Sequence, residues 1–156
     1  VSDSAGEFAQ PSESAEVARP RWPHLIHLHR ELDSAWSLYR DEYYDEAVRK
    51  ASQRYANRAK ELTNRPDLDG SALMEHAFSA QSPLLEFSDR GTLIERDEHD
   101  GYRFLAVGLT RALRNVLSHT DSYGLDEASA LEWLAFISAM HRRLDQAQQV
   151  TTAQGQ

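Results

Sequence analysis

The feature that most constrains this chain is the recurrence of apolar residues at three- and four-residue spacing along nearly all of its middle, with no convincing period-two run. Such spacing gathers side chains on one face of an α-helix, because a turn takes about 3.6 residues. From 24 to 39 the pattern is Leu25, Leu28, Leu32, Ala35, Trp36 and Tyr39. A second helix is predicted from Tyr44 to Leu62, with Ala47, Val48, Ala51, Tyr55, Ala59 and Leu62 inward and Arg49, Lys50, Arg54, Arg58 and Lys60 mostly outward. Asn64-Arg65-Pro66 stops it, since proline lacks an amide hydrogen and disfavours helix in the residue before it. A shorter helix follows from Asp69 or Gly70 to Phe78 and ends by Ser82-Pro83. The stretch LLEFSDRGTLIERDEHDG reads as a loop with an irregular turn or short hairpin around Arg90-Gly91, and two long helices are expected over about 98 to 118 and 126 to 146. The fold class is therefore all-α, a helical bundle of about four main helices and a short one.

Outside that pattern the chain changes character. Residues 1–20 are rich in Ser, Glu, Ala and Pro and read as a disordered leader or linker; residues 21–146 form the helical domain; residues 147–156 are a polar tail. A start at Val1 reads as a processed product or a domain cut from something longer. The length of 156 residues suits one core. A formal net charge of -8 argues against coating nucleic acid by bulk electrostatics, so any contact with RNA must be local. With no cysteine there is neither a disulfide nor a thiolate metal site, which fits a reducing cytoplasm. No run reaches the roughly 18 apolar residues of a membrane span, and no membrane association is expected.

One short stretch resists the bland helical pattern. Arg114-Asn115-Val116-Leu117-Ser118-His119 closes an apolar segment with an arginine, an amide and a histidine. On a helical projection at about 100° per residue, Leu105, Leu109, Ala112, Leu113 and Val116 make the expected core stripe. Arg103, Thr110 and Arg114 project to the opposite side, with Arg111 on one flank, so Arg114 is expected to face away from its own core. Asn115 and His119, four apart, share a flank. Residues 101–119 hold three arginines and no acid, whereas the preceding ERDEHD holds four acids and one arginine. A small positive strip of that kind suits a phosphate, which guanidinium grips with paired donors. Arg103, Arg111 and Ser118 are the candidate phosphate contacts around Arg114, and histidine is the usual proton-transfer group near neutral pH. Against this stands capping: arginine and histidine in a last turn favour the negative end of the helix dipole. On spacing alone, capping is the better account.

The surrounding sequence adds a resemblance. Arg-Asn-x-x-x-His ending a long helix of an all-α domain is similar to the signature of the HEPN superfamily. The segments YYDEAVRKASQRYANRAKEL, DLDGSALMEHAFS, RDEHDGYRFLAVGLTRALRNVLSH and LDEASALEWLAFISAMHRRLD together resemble, in order, its Ymh-like branch of conserved bacterial and phage proteins, over roughly 20 to 145. Arg49 and Ser52 stand where the family's early helix has larger apolar residues. The resemblance implies a four-helix bundle that pairs with a second copy. It implies a metal-independent ribonuclease of phage defence, abortive infection or a toxin-antitoxin system, with an RNA substrate, no cofactor and an antitoxin or defence-system partner. Arg114 and His119 would be the catalytic pair and Asn115 their polar companion. A non-catalytic dimerisation or adaptor domain of such a system is the alternative it leaves open.

Other clusters read blandly. His24, His27 and His29 do not share one helical face, and a surface helix start explains them better than a metal. Glu95, Asp97, Glu98 and Asp100 lack calcium-loop spacing and suit a helix N-terminus. Trp36, Trp133, Phe136 and Met140 read as core or interface residues, and Asp69-Gly70-Ser71 as a turn and cap.

Overall fold

The computed structural model describes residues 27–149. The leader at 1–20, His24, and the tail beyond 149 lie outside the described residues. A 3₁₀ turn at Arg30–Leu32 leads into α1 (Asp33–Arg40), followed by α2 (Tyr44–Thr63) and α3 (Gly70–Ala77). Next come β1 (Leu85–Glu86), α4 (Leu93–Leu109), a π-helical segment (Thr110–Asn115), α5 (Val116–Ser118), α6 (Glu127–Asp145) and β2 (Gln148–Gln149). The all-α bundle is as expected, with one ornament: β1 and β2 pair antiparallel, Leu85 opposite Gln149. The tail thus begins as a pinned strand, and Gln149 also donates its side-chain amide to the Leu62 carbonyl.

The centre of the bundle is α2. Ala47, Val48, Ala51, Tyr55, Ala56 and Ala59 are all at most 1% exposed, and α1, α3, α6 and the π segment pack around it. Alanines bury little area each but let neighbouring backbones come close. Ser52, noted above as a departure from the resembled family, is also buried and turns its hydroxyl to the Arg49 carbonyl at 2.9 Å.

Two boundaries differ from expectation. Helix begins at Arg30 and leaves out residues 27–29, which the expected first helix spanned, because His29 acts as its cap, its Nδ1 accepting from the Glu31 amide at 3.2 Å; the expected start at 24 lies outside the described residues. And α4 begins at Leu93 rather than 98, inside the predicted loop. Thr92 and Glu95 form a capping box there, Glu95 N–H donating to Thr92 Oγ1 at 3.2 Å and Thr92 N–H to Glu95 Oε2 at 2.8 Å. Two of the acids after it are paired: Asp100 with Arg103 of the same helix at 2.7 Å and Glu98 with Arg143 of α6 at 2.8 Å.

The largest correction concerns α4. Leu109 and Leu113 are buried as expected, but Leu105, Ala112 and Val116 are exposed. The buried face instead carries His99, Ala106, Leu109, Thr110, Leu113 and Leu117, and Thr110, expected outward, turns its hydroxyl to the Ala106 carbonyl at 3.0 Å. Apolar residues on this helix form two faces, and a count of hydrophobics cannot say which one meets α2 and α3. The solvent face runs through Ile94, Phe104, Leu105, Ala112 and Val116, with Ile94 79% and Phe104 60% exposed.

Two histidines are buried in the bundle. His141, on α6, stacks on His29 with 5.2 Å between ring centroids and meets Tyr55 edge-on. Burial first, then the Arg58 guanidinium and His29 beside it, push its imidazole down to about 3. Burial likewise lowers His99, whose Nε2 faces the Phe78 carbonyl at 3.2 Å. The unfolded chain takes up protons on these histidines below its ordinary value near 6.5 while the folded chain does not, so stability is complete above that value and falls as pH drops. Denaturant titrations from pH 7 to pH 5 should show a loss on the order of 1 kcal/mol per pH unit. His141→Leu should flatten that slope; an unchanged slope would show that His141 is not held neutral.

Candidate functional site

Arg114 sits in the last turn of the π segment, and the structure reverses its expected orientation. It points inward between α2 and α3. Its Nε donates to Gln53 Oε1 of α2 at 2.9 Å and its Nη2 to Asp69 Oδ2 at 3.0 Å. A π-helix turns less per residue than an α-helix, so six π residues rotate the downstream side chains relative to the α projection used for the sequence. Nη1 makes no hydrogen bond among the described residues. It lies against Gly70, where an added Cβ would be 3.4 Å away. Gly70 also has φ of +57°, so both the turn and the close approach favour a residue without a side chain.

Asp69 has two duties. Its Oδ1 accepts the Gly70 amide at 2.8 Å, capping α3 as the sequence suggested, and its Oδ2 holds Arg114. Burial works to raise its carboxyl, but the Gly70 amide and the Arg114 charge outweigh that and hold it below the usual carboxylate range.

The remaining motif residues fan out from this tie. Asn115 is half-buried, Ser118 donates its hydroxyl to the Arg114 carbonyl at 2.5 Å, and His119 is exposed at the end of α5. Arg111 is exposed on the apolar solvent face and makes no ion pair among the described residues. Arg103 is committed elsewhere, bridging Glu75 of α3 at 2.6 Å and Asp100 at 2.7 Å. Of the candidates, Arg114, Asn115, Ser118 and His119 are therefore contiguous, Arg111 flanks them, and Arg103 ties α4 to α3.

Sequence reading missed two residues here. Gln53 carried no signal, since an amide on a helix is ordinary. Asp45 is the second. Its carboxylate accepts the amides of Tyr123, Gly124 and Leu125 at 2.7, 2.9 and 2.9 Å, anchoring the loop that carries the chain from His119 to α6. Burial would raise this carboxyl, and the Gly124, Leu125 and Tyr123 amides overcome that and lower it. Of the histidines first weighed as metal ligands, His29 is buried and pairs its Nε2 with Asp145 at 2.9 Å, His27 is exposed, and His24 lies outside the described residues. No group of three metal-ligating side chains occurs among the described residues, and no helix among them is long and apolar enough to cross a membrane.

A family model described as "Protein of unknown function (Hypoth_ymh)" matches residues 27–144. No curated protein and no solved structure matches the chain.

Asp45→Ala should free the loop after His119. Amide hydrogen exchange at Tyr123, Gly124 and Leu125 should accelerate by at least about tenfold, because each loses an acceptor worth roughly 1.5 kcal/mol or more when charged. Unchanged protection would mean that something else holds the loop. A depressed carboxylate stabilises above its ordinary range and loses that contribution as pH falls through the folded value, so the same acceleration should appear in the parent protein at acid pH.

Proposed function

The chain belongs to the Hypoth_ymh family, and on that premise we propose that it is a metal-independent ribonuclease of the HEPN type, working as a homodimer in defence against phage or in a toxin-antitoxin system. The observation that carries the reading is the π segment. Long π runs are uncommon and tend to mark functional sites, and this one ends on Arg114 and Asn115 of the Arg-Asn-x-x-x-His motif. It carries a guanidinium fixed by Gln53 and Asp69, with Nη1 making no hydrogen bond among the described residues, five positions before an exposed histidine.

In this mechanism the RNA supplies its own nucleophile. The 2′-oxygen attacks the adjacent phosphorus while one His119 takes its proton, and the other His119 of the dimer protonates the departing 5′-oxygen. The products are a 2′,3′-cyclic phosphate and a 5′-hydroxyl. Arg114 steadies the charge on the phosphoryl oxygens in the transition state, with Asn115 and Arg111 as further donors.

The exposed apolar face of α4 supports pairing with a second copy. Exposed apolar surface of this continuity marks an interface. Gly101 and Gly108 lie on it with open space around an added Cβ, so another backbone can approach. Apposition about a two-fold axis running along the helix would set Phe104 and Val116 against the partner copy and carry both motif ends to the same end of the interface. Phe104→Glu should turn a dimer into a monomer by sedimentation or light scattering, with helicity unchanged. A dimer that survives it would remove this face from the interface.

A second reading has its own observation. The Arg114–Asp69 ion pair alone would tie α3 to the site helix, as in a non-catalytic dimerisation or adaptor domain. Cleavage of a mixed RNA pool in EDTA separates the two. The parent should cut and leave 2′,3′-cyclic ends, and His119→Ala should be slower by about 10²- to 10⁴-fold. Because His119 is exposed, its stability should change by no more than about 0.5 kcal/mol. Full cleavage by His119→Ala would sink the enzymatic reading; a folded dimer that never cuts would favour the adaptor.

A further inference from the structure

Beside the motif, where the α1–α2 corner meets the loop after His119, lies an open hollow of about 380 Å³. Its walls include Glu42, Tyr43 and Tyr44 on one side and Thr120, Asp121 and Ser122 on the other, with the buried Leu117 of α5 below. Thr120 directly follows His119 in the chain. Asp45 anchors the loop immediately after this wall, through the amides of Tyr123, Gly124 and Leu125. Tyr43 stands at the rim with 64% of its surface exposed, next to Glu42, whose φ of +65° makes the sharp corner.

The polar chemistry of the hollow selects what fits. Asp45 has its oxygens filled by the loop amides, and Glu46 is paired with Arg49. Arg49 also lines the hollow but is taken up by Glu46, whereas Glu42 and Asp121 make no side-chain hydrogen bond or ion pair among the described residues, so the unengaged charged groups of the hollow are acceptors. Its carboxylates repel phosphate, which leaves a flat, uncharged group bearing N–H donors. A nucleobase has that character, and an aromatic rim gives it a stacking face. Guanine fits best, since its adjacent N1–H and N2–H give it two donors on one edge to set against these acceptors.

We propose that this hollow is a nucleobase subsite that takes an unstacked guanine next to the scissile phosphate, with Tyr43 stacking on the base and Glu42 and Asp121 accepting from its donor edge. The inference rests on the ribonuclease reading for its RNA, but its base recognition is separately measurable. The site would give a protein of net charge -8 a way to choose RNA by base rather than by bulk charge.

The test titrates guanosine, inosine, adenosine and cytidine into the full chain and into His119→Ala, following backbone amide shifts. Guanosine should shift residues 42–44 and 120–122 in both proteins and bind about tenfold more tightly than adenosine, with inosine between them. Tyr43→Ala should weaken guanosine at least about fivefold, and Glu42→Gln with Asp121→Asn should erase its advantage over adenosine. Tyr123→Ala, exposed but not lining the hollow, should bind as the parent does. Equal binding of all four nucleosides, guanosine binding undiminished in Tyr43→Ala, or capture of arginine methyl ester in their place would overturn the proposal. If guanosine binds as described while the parent cuts no RNA, the ribonuclease reading fails and the subsite stands. If RNA is cut and no nucleoside binds, the subsite fails alone.

Discussion

The structure depends on how small the buried side chains of α2 are. Ala47, Ala51, Ala56 and Ala59 are spread around that helix and nearly inaccessible, so elements can close on it from several sides at once. An interior packed to crystal-like density has no room for growth at such positions, and a larger residue would push neighbouring backbones apart. Tyr55 and Val48 supply the bulk that the alanines lack.

The same helix organises the polar features. Through Gln53 it reaches Arg114, and through Asp45 it anchors the loop beyond His119. On its other flank, Arg58 donates to the His141 carbonyl at 3.2 Å and pairs with Asp145, and Arg54 pairs with Glu31 at 2.5 Å and Glu61 at 2.8 Å. Core and motif are thus mechanically one object. A change that shifts α2 would be felt at the guanidinium before it reached the exposed histidine, because Arg114 is held on two sides and His119 on neither.

Much of the fold could be read from residues. The ends of α2 and α3 follow from Pro66, Asp69 and Gly70, and α6 from its apolar spacing, since caps and breakers act locally. The start of α4 escaped because its first turns read LIERDEHD, a polar run whose helical signal is the capping box at Thr92 and Glu95. The placement of the motif at a helix end was legible too, and so was its company of arginines. Gln53 and Asp45 were not legible: their partners lie 61 and about 80 positions away, at Arg114 and Leu125, and nothing in a neighbouring residue announces them.

By itself, then, the sequence determined an all-helical class, most helix boundaries, and an Arg-Asn-x-x-x-His stretch at the end of a long helix, because periodicity, capping and chain-breaking are properties of adjacent residues. Tertiary structure decided which face of α4 is buried, that Arg114 turns inward to Asp69 while Phe104 and Val116 look outward, and that a hollow opens beside His119. A stripe of leucines carries no label for what it packs against. Only the positions of α2 and α3, with the slower rotation of the π segment, assign one face of that helix to the core and leave the other exposed.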